Sequence, residues 1–326
     1  MSLTQNCAIF ILTQNTEAKR VYLKTNLYYL FKYFNKDYKY PVVIFHEGDF
    51  DEKLQTDIIN GIRESCRSCV SFRTLDPDDF KVPEHIDRKK LERCISTAPT
   101  PYWRNVSYRN MCRWWVVHMP KYAAGYDYVM RIDDDAFIEE PLPDIFSWAG
   151  EKKVVYASSM VHTDCGMCNY GMMEFFKSTF PEKKELIDSM FTLQNLPSRS
   201  VKIHPFRTLL SITQDPLPEI GEHIPVYQPT IFYNNFFITK SSFWQREDVQ
   251  AAIKKIDDNG SIYYFRWGDA PLHTLLVKIF AEPEEIKQCV FKYSKRMQRE
   301  SFPGNDGMFH SYMPGLYEQS SCITDT

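Results

Sequence analysis

Tyr126-Asp127-Tyr128-Val129-Met130-Arg131-Ile132-Asp133-Asp134-Asp135 is an apolar run that ends in three consecutive carboxylates. The run reads as a buried strand, and Phe137 and Ile138 resume apolar character after it. Three adjacent acids raise each other's pKa values unless a cation sits among them. The compensating cation expected from such a row is a divalent metal bound through oxygen, Mg²⁺ or Mn²⁺. The plainer alternative is a solvated acidic turn.

Working outward, the first half alternates as a βα series. A strand at Ala8 to Leu12 leads to a helix that starts near Thr16 and carries Leu23, Leu27, Leu30, Phe31 and Phe34 on one face. Pro41 opens a second apolar strand, Val42 to Phe45. A helix is expected around Gln55 to Arg63 and a third strand at Cys69 to Phe72. Continuous apolar strands separated by helices indicate an α/β protein with a mostly parallel central sheet, Rossmann-like, with helices on both faces. Ligands bind such sheets at the carboxyl ends of the strands, where the aspartates fall. Residues Asp76 to Pro101 read as a surface excursion. Ser107 reads as the N-cap of a helix that Pro120 ends. A short helix near Asp144, a strand Val154-Val155-Tyr156 and an irregular stretch from Pro197 to Pro229 follow. A strand from Ile231 to Thr239 and helices at Phe243 to Ile256 and Ala270 to Ala281 complete the expectation. With no repeat, low-complexity tract or linker, one domain over residues 1–326 is expected.

The chain of 326 residues is 44% hydrophobic and 15% aromatic, enough for a large core and too much for a disordered chain. A formal net charge of -3 gives no polycationic surface for a nucleic-acid backbone. No apolar stretch is long enough to cross a bilayer. Cys7 to Leu12 is too short for a signal peptide and lacks a basic flank and a cleavage site. The expectation is a cytoplasmic protein, or a catalytic portion of a membrane-anchored parent. Nine cysteines leave at least one unpaired, and the pairs Cys66/Cys69 and Cys165/Cys168 are too far apart for a zinc ribbon. Asn105-Val106-Ser107 and Asn259-Gly260-Ser261 fit the N-glycosylation pattern, relevant only in a secretory lumen.

Two further constellations carry chemistry. Arg109 and Arg113 share a helix face, which suits anionic phosphates or pairing with carboxylates. In Tyr263-Tyr264-Phe265-Arg266-Trp267-Gly268-Asp269-Ala270-Pro271-Leu272-His273, Asp269 reads as an N-cap. His273 lies one turn further on, within reach of a hydrogen bond to it.

Several segments resemble the fungal α-1,2-mannosyltransferases of glycosyltransferase family 15. Ser107-Tyr108-Arg109-Asn110-Met111-Cys112-Arg113-Trp114 is similar to that family's S-Y-R-H-M-C-R-F, and Arg131 to Asp135 falls where it has R-V-E-P-D. Asn235-Phe236-Phe237-Ile238 resembles N-F-E-I, and Tyr264 to His273 resembles Y-E-R-W-G-D-A-P-V-H. The matches keep the family's order from about Ala8 to Phe280. The resemblance implies a GT-A glycosyltransferase fold, a Mn²⁺ (or Mg²⁺) ion, and a nucleotide-sugar donor, GDP-mannose. It further implies retaining transfer to a glycan or glycoprotein acceptor, and a Golgi lumen if this is a trimmed catalytic domain. By the same resemblance Asp133 and Asp135 hold metal and diphosphate, and Tyr108, Arg109 and Arg113 line the donor side with Gln14 and Asn15. Asp269, Asp135 and Tyr264 become catalytic candidates. Three departures are visible. The glutamate of N-F-E-I is Phe237, the early A-R-N reads Thr13-Gln14-Asn15, and the late metal-binding histidine meets Lys295-Arg296, with His310 the nearest replacement. An inactive nucleotide-sugar- or glycan-binding homologue and a metal-dependent phosphohydrolase are the alternative functions; the second needs another carboxylate cluster.

Overall fold

The computed structural model describes residues 6–97, 104–197, 203–214 and 221–295. In chain order the strands are β1 (Cys7–Leu12), β2 (Val42–His46), β3 (Val70–Thr74), β4 (Tyr128–Ile132), β5 (Ala136–Ile138) and β6 (Tyr156–Ser158). They continue with β7 (Val161–Thr163), β8 (Phe191–Pro197), β9 (His223–Phe232), β10 (Phe236–Lys240), β11 (Ile286–Gln288) and β12 (Tyr293–Lys295). Seven of them form the central sheet, in the order β11-β6-β10-β4-β1-β2-β3. The pairs β1–β2, β1–β4, β2–β3 and β6–β11 are parallel, and β10 runs antiparallel to both β4 and β6. Alternate residues of β1 enter different apolar layers, Ala8 and Phe10 on one face and Cys7, Ile9 and Ile11 on the other. Both faces are covered, so these strands read in sequence as unbroken apolar runs.

Helix α1 (Glu17–Leu30) starts where Thr16 accepts a hydrogen bond from the Lys19 N–H, and buries Leu23, Leu27 and Leu30. Helix α2 (Glu52–Ile59) begins earlier than expected, because Asp51 caps it by accepting from Leu54 N–H. The surface excursion contains α3 (Arg88–Thr97). Helix α4 (Val106–Arg113) is capped by Asn105, two residues ahead of the expected Ser107. Pro120 does not end it. A π-helical turn, Trp114–His118, carries the chain into Met119–Ala123, where Pro120 sits in the first turn and needs no N–H partner.

Asp144 caps α5 (Ile145–Glu151), as the short helix near it suggested. Then follow α6 (Met172–Thr179), α7 (Ile203–Thr213), α8 (Glu247–Asn259) and α9 (Asp269–Phe280). The stretch expected to be irregular thus holds α7 and most of β9. The strand expected over Ile231 to Thr239 is broken between β9 and β10. The helix expected from Phe243 is split into a short turn, Ser241–Trp244, and α8. Among the described residues no helix is long and apolar enough to cross a membrane.

Candidate active site

Because β1 and β4 are parallel neighbours, their carboxyl ends open at one edge of the sheet. The loop after β1 delivers Thr13 to Asn15 there, and β4 delivers Asp133 to Asp135. The three carboxylates do not face a common point. Asp134 is buried, accepting from Thr13 Oγ1 at 2.8 Å and from Lys19 Nζ at 2.6 Å, which ties β1 and α1 to the end of β4. Asp133 and Asp135 converge on Lys295, whose Nζ lies 2.5 Å from Asp133 Oδ2 and 3.2 Å from Asp135 Oδ1. The antiparallel pairing of β12 with β5 sets Lys295 opposite Ala136, so backbone register carries that ammonium to the aspartates. Lys295 and Lys19 offset the repulsion in the row only in part: burial, with Asp135 beside it, still holds the Asp134 carboxyl above its usual range despite Lys19.

Arg131 extends the cluster inward. Its Nε donates to Asp133 Oδ1 at 2.9 Å and its Nη1 to Asp269 Oδ2 at 2.5 Å, while the guanidinium lies 4.1 Å from the centre of the Trp115 ring. Asn234 Nδ2 adds a second donor to Asp269 Oδ2 at 2.8 Å. Burial opposes charge on Asp133 and Asp269, but Arg131, aided at Asp133 by Lys295, holds both carboxyls below the usual range. Burial likewise opposes the Lys295 ammonium, and Asp133 and Asp135 outweigh it, so Lys295 stays charged.

Asp269 is not the N-cap of α9. Gly268 takes that place, and Asp269 occupies the first turn with its carboxylate turned to Arg131. His273 bonds elsewhere as well: its Nε2 donates to Trp115 O at 3.0 Å, on the π-helical turn, and its ring packs 4.7 Å from Trp244. Burial lowers its pKa to about 4.

The other expected site residues divide. Asn15 sits at the β1 edge, held by Arg20 Nη1 on its Oδ1 at 2.6 Å and donating to Asp49 O at 2.5 Å; Gln14 beside it is exposed. An arginine does stand beside the Thr13-Gln14-Asn15 loop, in Arg20 of α1. Tyr108 lies between two guanidiniums, Arg104 at 5.6 Å and Arg266 at 5.5 Å. Arg266 adopts φ 70°, unusual for a residue with a side chain, and its Nη2 is 3.6 Å from Asp164 Oδ2. Arg109 is fully buried, and desolvation together with Arg266 pulls its pKa down to about 10.

Arg113 makes a two-pronged pair with Asp257 of α8, at 2.7 and 2.8 Å, a carboxylate that the sequence had not singled out. Tyr264 turns to α3, where its hydroxyl accepts from Asp87 N–H at 2.9 Å and Lys90 covers its ring. Neither is brought to the aspartates by these contacts. His310 lies outside the described residues. Phe237 is fully buried on β10, stacked on Tyr156 and edge-on to Trp115.

Sequence reasoning missed Lys19, Asn234 and the role of Arg131. Arg131 and Lys295 were both visible within motifs, but nothing local shows which carboxylate either meets. The eight described cysteines are free thiols, and among the described residues no three His, Cys, Asp or Glu side chains converge as a metal-ligand set.

Comparison with known proteins places the fold and the family. The O-glycoside alpha-1,2-mannosyltransferase omh1 of Schizosaccharomyces pombe is 26% identical over 288 residues, 86% of this chain and 66% of that protein. Probable mannosyltransferase KTR4 of Saccharomyces cerevisiae is 25% identical over 271 residues, 78% of this chain and 52% of its own length. The chain therefore spans between about half and two thirds of the length of these relatives. The S. cerevisiae mannosyltransferase Ktr4p in complex with GDP superposes with a TM-score of 0.70 at 19% identity, over 97% of this chain and 78% of its own. Core-mannan synthase A of Aspergillus fumigatus in its Mn/GDP form gives 0.70 at 18% identity, over 98% and 82%. These likenesses show a GT-A fold. A profile described as glycolipid 2-alpha-mannosyltransferase matches residues 2–299. A match of that extent, on this fold, means that the chain belongs to the glycolipid 2-alpha-mannosyltransferase family, glycosyltransferase family 15.

Proposed function

We propose that the chain transfers mannose from GDP-mannose to a hydroxyl of a glycan or glycoprotein, with retention of anomeric configuration. The observation that carries this reading is the charged cluster at the carboxyl ends of β1 and β4, Asp133 and Asp135 with Lys295, Lys19 and Arg131. Its support from relatives is the GDP held by Ktr4p and the mannosyltransferase names of the family.

In the step, the bond from the anomeric carbon to the β-phosphate oxygen breaks and its electron pair leaves with the phosphate. The acceptor hydroxyl oxygen bonds to the same carbon, and its proton passes to a phosphate oxygen. Positive groups fixed beside the departing diphosphate stabilise the charge that develops there. Phe237 offers no carboxylate, so no covalent intermediate forms at that position. Asp269, held by Arg131 and Asn234, positions the Arg131 guanidinium in this scheme.

The Mn²⁺ expected from the family, and present in the Mn/GDP form of core-mannan synthase A, does not fit this donor set. Asp133 Oδ2 and Asp135 Oδ1 both contact Lys295, Asp133 Oδ1 takes Arg131, and Asp134 is buried on Lys19 and Thr13. No step above passes through a metal.

The test is a panel of GDP- and UDP-sugars read by thermal shift and nucleotide release. Stabilisation and turnover with GDP-mannose, abolished by Asp135→Ala without loss of fold, is the expected result. Binding without turnover means an inactive homologue, and release without transfer means a hydrolase.

A further inference from the structure

We propose that Lys295 stands where a divalent ion would bridge Asp133 and Asp135, and that its ammonium meets the departing diphosphate, so that transfer proceeds without a divalent ion. This rests on the donor reading above and names the cation that serves it.

Three observations carry it. First, the position is built rather than reached: β12 pairs with β5 so that Lys295 lies opposite Ala136, directly after Asp135 in the chain. Second, an ammonium has three N–H donors. Two suffice for Asp133 Oδ2 at 2.5 Å and Asp135 Oδ1 at 3.2 Å, which leaves a third for a phosphate oxygen. The Lys295 side chain retains 14% of its surface, enough for a ligand to touch it. Third, Lys19 completes the arrangement from the first turn of α1, with its Nζ 2.6 Å from Asp134 and 4.0 Å from Asp135. A divalent ion entering between Asp133 and Asp135 would displace the Lys295 ammonium from its two carboxylate partners, which is unfavourable for a largely buried charge.

During transfer the electron pair of the broken carbon–oxygen bond remains on the β-phosphate oxygen. Lys295 donates a hydrogen bond to that phosphate without giving up its proton. The proton released by the acceptor hydroxyl goes to the phosphate, so charge and atoms balance with no further reactant.

Two measurements on the full chain decide this. Mn²⁺ is titrated without nucleotide and followed by electron paramagnetic resonance, and transfer is assayed in EDTA and in Mn²⁺. The wild-type chain is expected to take up no tightly bound Mn²⁺ and to work in EDTA within about twofold of its rate in Mn²⁺. Lys295→Ala should lower kcat on the order of a hundredfold, as when one donor to a developing charge is removed. It should also gain one Mn²⁺ site that the further change Asp135→Ala removes, an effect that simple structural damage does not produce. Lys295→Arg should stay within about tenfold of wild type in EDTA. One Mn²⁺ per wild-type chain, lost in Asp135→Ala, or loss of transfer in EDTA overturns the proposal. If Lys295→Ala does not fold, the wild-type titration decides alone. The nucleotide panel fails separately: with no nucleotide bound, the donor reading falls, while the Mn²⁺ titration still reports which cation holds the aspartates.

Discussion

Arg131→Met is the most informative single change in this protein. The side chain is 4% exposed, and its guanidinium joins Asp133 to Asp269 while lying on Trp115. Methionine keeps much of the volume and the apolar contact with Trp115 but removes both charged hydrogen bonds. Removing one partner of a buried ion pair costs about 3–5 kcal/mol, because the abandoned carboxylate stays buried. Asp133 keeps Lys295 and Asp269 keeps Asn234, which places the cost near the lower end. Losing the cation over Trp115 adds about 1 kcal/mol. The expected destabilisation is therefore about 4 kcal/mol, a large part of the ~5–15 kcal/mol typical of folded proteins.

Urea unfolding followed by tryptophan fluorescence measures it as a lower midpoint with unchanged slope. Adding Asp269→Asn should return about 2 kcal/mol, since the second buried charge is then gone as well. A loss below about 1 kcal/mol for Arg131→Met, or strict additivity of the two changes, would falsify the view that Arg131 is the electrostatic keystone of the site.

Stability should fall as pH drops from about 6.5 to 4. His273 and His118, each lowered to about 4 chiefly by burial, stay neutral there while the unfolded chain takes up protons, up to about 3 kcal/mol apiece. Calorimetry of His273→Gln should show a shallower acid limb, and an unchanged one refutes the assignment. Asp133 and Asp269, with carboxyls held low, contribute stability that is present above about pH 4 and is lost only on further acidification. Arg113→Lys should cost about 1–2 kcal/mol by losing the two-pronged pair with Asp257, with GDP affinity within twofold of wild type. A tenfold weaker GDP affinity by calorimetric titration would instead place Arg113 on the donor. Tyr264→Phe should cost about 1 kcal/mol through the lost acceptor for Asp87 N–H and leave kcat within threefold. A tenfold slower enzyme of unchanged stability would return Tyr264 to the chemistry.

The sequence by itself determined the layers of this protein. Apolar runs such as Ile9 to Leu12 and Val42 to Phe45 have one stable use, a sheet covered on both faces, and the periodicity of α1 matched that role. It also marked Asp133 and Asp135, because charge at the end of a core strand is costly without a partner, while the Trp267-Gly268-Asp269 segment stood out only through its resemblance to the family motif. The identity of the partners was decided only by the tertiary structure. Arg131 meets Asp269 across 138 residues, Arg113 meets Asp257 across 144, and Lys295 meets Asp133 across 162. Such pairings arise from strand order and register, β10 antiparallel beside β4 and β12 against β5, which local propensity does not encode. For the same reason three adjacent acids led to the expectation of a divalent metal, and not to the lysines and the arginine that the fold sets beside them. The return of the chain at β12 sets a lysine against two of those carboxylates, a contact fixed by strand register and not by any local pattern.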